Sequence, residues 1–399
     1  MSLNQKLRDP RIFLLLLAVG MAFGFAVWRV LLDNFSVREI GFTGLDIGGV
    51  QSVREIPGFL AFTAVFLLLI IKEQIFALVS IGLMGIGIAL TGYLPSHVGL
   101  YFTTVLMSIG FHYYEAVNKS LTWQWLPKDE APQFMGKIIS FKSLCEIFAF
   151  ISVWLWISVI GLSVEISYAI GGCFLIVIAF YCWIGFPSFP QAVTQRKTIV
   201  LRKRYWLYYA LTFMAGARRQ IFIVFAGFLM VTKFDYGVDD IVILFLAASA
   251  LNFFIAPVVG KMIAKWGERN ALILEYVGLF FVFYAYAFVE RHEVAAGLFV
   301  IDHLFFAMAI AQQTYFQKIG DPADMASTAS VAFTINHIAA VFLPFLLGAV
   351  WLVSPSAVFL VGAGLAAFSL ILSLNVPRHP EPGNETTFGP KYPAAQPAE

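Results

Sequence analysis

The sequence predicts an all-α membrane protein of twelve transmembrane helices in two six-helix halves. Three observations carry that expectation. Apolar side chains make up 60% of the 399 residues and charged ones only 13%, against roughly a quarter charged in soluble domains. Apolar windows of about 20 residues, the length that crosses a bilayer, recur along the whole chain. One long polar interval, PSFPQAVTQRKTIVLRKR from Pro187 to Arg204, splits these windows into two equal sets.

In the first half the spans fall at roughly 12–32, 47–71, 75–93, 98–118, 134–159 and 167–186. In the second they fall at roughly 205–231, 241–261, 271–289, 295–316, 326–352 and 356–376. The chain therefore divides into an N-terminal bundle (1–186), a connector (187–204), a C-terminal bundle (205–377) and a tail (378–399). The tail is rich in Pro, Gly and Glu and is expected to be disordered. Near the N-terminus Lys6, Arg8 and Arg11 precede an apolar run, as in a secretory signal. The run is too long for a signal core, and Trp28-Arg29 stands where a small-residue cleavage site would be needed, so it reads as the first permanent span.

The cations orient the chain. With both termini in the cytoplasm, Lys6, Arg8, Arg11, Lys72, Lys119, Lys128, Lys137, the connector cations Arg196, Lys197, Arg202, Lys203 and Arg204, then Lys261, Lys265, Arg269, Lys318, Arg378 and Lys391 fall inside. Only Arg38, Lys233 and Arg291 fall outside, a strong positive-inside bias. A cell (inner) membrane location follows. Net charge is only +2 and is spread over the loops, which excludes a nucleic-acid partner. Cys145, Cys173 and Cys182 lie in apolar spans without metal-ligand or disulfide spacing, and no cofactor or metal is expected. The halves also echo each other. One offset superposes Gly44, Asp46 and Lys72 on Gly237, Asp239 and Lys265, and another superposes His112 and Glu146 on His303 and His337. Such echoes fit parallel repeats about an axis along the membrane normal.

The second half carries GKMIAKWGER, Gly260 to Arg269. This resembles the loop motif of the major facilitator superfamily, Gly-x-x-x-Asp-Arg-x-Gly-Arg-Arg, with Gly260, Lys265, Gly267 and Arg269 matching in kind and Ala264 standing where the family has Asp. In the first half the same place keeps only Lys72. The fifth span lacks the glycine-proline motif of proton-driven drug antiporters. SVREIPGF, GARRQIF and TINHIAAVFLP are similar to segments of prokaryotic predicted efflux permeases. The resemblance implies the twelve-helix fold of that superfamily, a monomer, and a secondary transporter of a small-molecule solute with a conformational loop at Gly260 to Arg269.

Charges within spans cost about 2.5–3.5 kcal/mol each near the bilayer centre, so each needs a partner or a purpose. Arg218 and Arg219 in span 7 suit a carboxylate or phosphate, or else clamp a neighbouring acid such as Asp302. Arg29 and the Arg54-Glu55 step serve the same anion site or an outer gate, or neutralise each other. Asn336, Gln312 and Gln313 are candidate cavity hydrogen-bonding groups. Lys142 and Glu146, four apart, are expected to pair on one face of span 5. Glu146, its repeat mate His337, Asp302-His303, and His112 with Glu115 on span 4 are candidate proton carriers. Glu275 is expected to pair with the Gly260–Arg269 loop.

The leading expectation is a proton-coupled transporter working by alternating access and favouring an anionic substrate, with efflux implied by the resemblance alone. A multidrug or lipophilic-cation exporter, or a receptor that kept the fold and lost turnover, stay open. An intramembrane enzyme would need a zinc-binding His pair, a Gly-framed Ser elbow or paired aspartates, and no such motif occurs in the sequence.

Overall fold

The computed structural model describes residues 9–390 and 392, apart from 43, 191, 192, 194, 197 and 237. Lys6, Arg8, Lys197 and Lys391 of the topology count, and Gly237 of the repeat comparison, lie outside the described residues. The fold is all-α, with no strand among the described residues. Its helices are α1 (Pro10–Phe35), α2 (Gly44–Phe59), α3 (Ala64–Leu67), α4 (Glu73–Thr91), α5 (His97–Trp125), α6 (Ala131–Trp154) and α7 (Val164–Gly185). They continue as α8 (Trp206–Gln220), α9 (Gly227–Phe234), α10 (Val238–Trp266), α11 (Glu268–Phe288), α12 (His292–Phe305), α13 (Ala309–Ile319), α14 (Met325–Val353) and α15 (Pro355–Leu374).

Among the described residues, 9 helices are long and apolar enough to cross a membrane. They coincide with predicted spans 1, 3, 5, 6 and 8 to 12. Spans 2, 4 and 7 are helical too, but they carry Arg54-Glu55 with Pro57, His112 with Glu115 and Lys119, and Arg218-Arg219.

Two compact units form. Unit 1 comprises Met1–Leu126, Phe141–Ile199 and Ala326–Thr334, and unit 2 comprises Pro127–Ser140, Val200–Met325 and Ile335–Glu399. The expected contiguous halves thus trade two segments, for visible reasons. Within unit 2, the Ser140 hydroxyl donates to the Phe253 carbonyl, and Gly136 lies so close to the Ala256 carbonyl that no Cβ would fit. Within unit 1, the Gln195 amide oxygen accepts from the Ala326 N–H at 3.1 Å. The Thr334 hydroxyl accepts from the Phe62 N–H at 2.9 Å. That N–H is available because the 3₁₀ turn Leu60–Thr63 interrupts the helix just after Pro57.

In unit 1, α4 packs between α5 and α7. Gly87 and Gly110 each face the other helix's backbone, as do Gly85 and Gly172, and a Cβ at any of the four would collide with main-chain atoms. Small residues of this kind are what lets helices approach closely in lipid, where hydrophobic burial supplies no drive. In unit 2, α11 packs on α15, α10 on α12, and α8 on α15.

The tail departs from expectation. Disorder was expected over 378–399, yet residues 376–388 fold back onto unit 2. Glu385, 2% exposed, accepts from Arg204 Nε at 2.9 Å and from the Gly383 N–H at 2.8 Å. Its carbonyl accepts from the Tyr315 hydroxyl, and Asn375 receives the N–H groups of Thr387 and Phe388. Composition alone had marked this segment as too polar to bury, and specific pairing overrides it.

Candidate functional site

Unit 2 holds a cavity of about 270 Å³. Two helix irregularities shape it. Just beyond Arg218-Arg219, α8 widens into a π-helical stretch over Ile221–Ala226. Just beyond Asp302-His303, α12 tightens into a 3₁₀ turn over Phe306–Met308. Such interruptions re-aim side chains and recur at functional sites. Gly216 lets α14 approach α8 so closely that a Cβ there would strike the Asn336 carbonyl, and the Asn336 amide donates to the Thr212 carbonyl at 3.2 Å.

The cavity brings together Arg218, Arg219, Glu275, Asp302 and Asn336 against a mostly aromatic wall that includes Phe222 and Phe306. Arg218 and Glu275 are both buried and lie 3.5 Å apart, and the guanidinium carbon of Arg218 sits 4.5 Å from the ring centre of Tyr276. The buried cation is thus met by a carboxylate on one side and a π-face on the other. Asp302 is 2% exposed and its Oδ1 has no hydrogen-bond partner among the described residues. Adjacent helical residues diverge by about 100°. Asp302 accordingly meets the cavity, while His303 sits among Phe222, Phe245, Phe299 and Phe306 with Nδ1 on the Phe299 carbonyl at 3.0 Å. Of the other second-half candidates, Gln312 donates to the Thr212 hydroxyl at 2.6 Å, so it braces α8 and does not line the cavity. His337, next to Asn336, is buried.

Unit 1 gathers a smaller polar cluster. Arg54 and Glu55 pair at 2.6 Å, and the second Glu55 oxygen lies 4.0 Å from His112 Nε2. His112 Nδ1 is 2.9 Å from the Ser108 carbonyl, and the Ser108 hydroxyl donates to the Arg54 carbonyl. Arg29 stands over the Phe150 ring at 5.8 Å. Glu146 is half-buried on α6.

Two expected pairings are corrected. Lys142, expected to pair with Glu146, lies 3.5 Å from Glu115 instead. On α5 the candidate carriers His112 and Glu115 lie against different groups, Glu55 and Lys142. Glu275, expected to serve the loop, is in the cavity. Because α11 starts at Glu268, Glu275 sits about two turns inside it. A lone acid in the apolar run ALILEYVGLFF was the available signal for this.

The Gly260–Arg269 loop is a one-residue turn. Gly267 takes φ +81° between α10 and α11, a left-handed conformation that favours glycine, and Gly260 abuts the Pro132 carbonyl. Lys265 is exposed and Arg269 half-buried. The buried acid of this corner is Glu268, whose carboxylate lies 2.7 Å from Lys318 Nζ. Nearby, Asp324, fully buried, accepts from Arg202 and from the Tyr205 hydroxyl at 3.0 Å. Reading the sequence for cavity residues passed over Glu268, Asp324 and Glu385, since the first two sit at helix ends and the third in the tail.

No protein-family model matches the sequence, and a search of curated proteins finds no match. Solved structures do match. The human organic anion transporter MFSD10 (TETRAN) superposes with a TM-score of 0.73 at 12% identity, covering 94% of this chain and 100% of that one. The E. coli fucose:proton symporter FucP superposes at 0.71 and 14% identity, covering 92% and 98%. An outward-facing bacterial homologue of the iron transporter ferroportin superposes at 0.72 and 11% identity, covering 94% and 99%. With all-α architecture and near-complete coverage in each case, the chain has the fold of the major facilitator superfamily transporters.

Proposed function

We propose that the chain is a secondary active transporter that moves a small organic solute by alternating access, coupled to protons. Twelve spans, cytoplasmic termini and connector, an inner-membrane location, a monomeric state and an outward direction of transport complete the proposal. The observation that carries it is the unit 2 cavity, where Arg219 and the partnerless carboxyl oxygen of Asp302 share one apolar space. Arg218 is engaged by Glu275 and holds the cavity's charge in place. Arg219 supplies the planar donor set that suits a carboxylate or phosphate. Asp302 carries the coupling proton, as a buried ionisable group that faces the cavity within a span. The organic anion transporter and the fucose:proton symporter among the similar structures support both halves of this reading.

One observation favours a second reading. The aromatic wall and the open carboxyl oxygen of Asp302 would also receive a lipophilic cation. A thermal-shift screen of carboxylates, phosphates and lipophilic cations on the purified protein separates the two, because ligand at about a hundred times its dissociation constant adds roughly 2.7 kcal/mol. Anion stabilisation abolished by Arg219→Ala supports the anion transporter. Cation stabilisation abolished by Asp302→Asn replaces it with the exporter. Binding without pH-gradient-driven flux in proteoliposomes would reduce the protein to a receptor.

A further inference from the structure

A second cavity, of about 320 Å³, lies in unit 1 where the connector meets the bundle. Its walls are the turn Leu68–Ile71, the start of α4, the end of α5 at Leu121 and Trp125, and the connector. The connector is tied down here. The Gln74 amide donates to the Pro187 carbonyl at 3.0 Å, and its oxygen accepts from the Phe189 N–H at 2.9 Å. The Phe189 ring also packs edge-on against Trp125 at 5.1 Å.

The lining combines two chemistries. Leu69 and Ile70 are 50% and 86% exposed, an apolar lip suited to acyl chains. Lys72, exposed and in no ion pair among the described residues, and Arg196 line the same cavity. The first turn of the 19-residue α4 opens on the same space, adding a positive helix end. The indole N–H of Trp125 is out of solvent and has no acceptor among the described residues. The one acid of the lining, Glu73, is held by the Ser120 hydroxyl at 2.7 Å and the Gln124 amide at 2.8 Å.

We infer that this cavity binds the phosphate headgroup of an anionic phospholipid, with Lys72 and Arg196 on the phosphate and the acyl chains along Leu69 and Ile70. Basic pockets beside apolar helix surface are what anionic headgroups seek. The site is independent of the transport reading, since none of its residues lines the unit 2 cavity.

The test is native mass spectrometry of the full-length protein in detergent, titrated separately with phosphatidylglycerol, phosphatidylcholine and inorganic phosphate. Phosphatidylglycerol adducts are expected to survive at least about tenfold better than phosphatidylcholine adducts. Lys72→Ala with Arg196→Ala should remove that preference, while Lys72→Arg keeps it. Circular dichroism and monodispersity check that the double variant is folded; Lys72→Glu, which reverses charge at an exposed position, gives the same answer should it not be. Equal retention of both lipids, or a preference unchanged by Lys72→Glu, would overturn the inference. So would binding of inorganic phosphate without phosphatidylglycerol, which would make the site one for a soluble anion.

Discussion

The two units solve the problem of charge in a membrane protein differently. Unit 1 is held at its centre by backbone contact, through Gly85, Gly87, Gly110 and Gly172. Its ion pairs stay partly open, with side-chain exposures of 23% and 20% for Arg54 and Glu55 and 30% and 27% for Lys142 and Glu115. Unit 2 buries four acids in ion pairs. Glu275, Glu268, Asp324 and Glu385 are 9%, 1%, 0% and 2% exposed, each opposite a lysine or arginine. Close-packed glycines tolerate no added atom but leave charges free to respond to solvent. Buried pairs tolerate no lost partner, because the group left behind has neither water nor a counter-charge.

That contrast can be broken in graded steps. Glu275→Ala should have the largest effect, costing about 3–5 kcal/mol in reversible unfolding, because it strands Arg218 in the interior. The double replacement Arg218→Met with Glu275→Met should restore most of that loss, since removing both charges removes the penalty. If the double variant were as unstable as the single, the pair would be a positive source of stability, and the view of unit 2 given above would fail.

At the binding site, Arg219→Ala should weaken an anionic ligand by about 1.5–3 kcal/mol, the worth of a charge-assisted hydrogen bond, or roughly 10- to 150-fold in dissociation constant. Arg54→Ala, measured the same way, should do far less. In unit 1, Gly110→Leu should cost about 1–3 kcal/mol through overpacking against Ser80 and Met84. Gly227→Leu, at a glycine with open space around it, should leave stability nearly unchanged. Equal effects at the two glycines would show that close approach is not what holds α4 and α5. The smallest change is expected for Glu115→Gln, about 1 kcal/mol or less, as for other partly exposed pairs.

Much of this was legible from residues alone. Nine spans, the glycine turn at Gly267 and the candidacy of Arg218, Arg219, Asp302 and Asn336 follow from patterns that are local in sequence. The pairings did not follow. Lys142 is four residues from Glu146, yet it meets Glu115, because a long flexible side chain takes the acid that packing brings nearest. Glu275 looked like a loop partner because its depth depends on where α11 begins, and a one-residue turn moved that start to Glu268. Residues 378–388 looked too polar to bury because composition cannot register that Arg204 waits at the other end of the unit for Glu385.

By itself the sequence determined that the chain is helical and membrane-embedded, with its cations in particular loops and its charges in particular spans. These are properties of hydropathy and period, which each window carries within itself. Only the tertiary structure decided which charge answers which, that spans 7 and 10 break next to their charged residues, and that one cavity collects Arg219, Asp302 and Asn336 from three helices. Those outcomes depend on helix phase and approach distance, set by contacts such as Gly216 on Asn336 that join residues far apart in the chain.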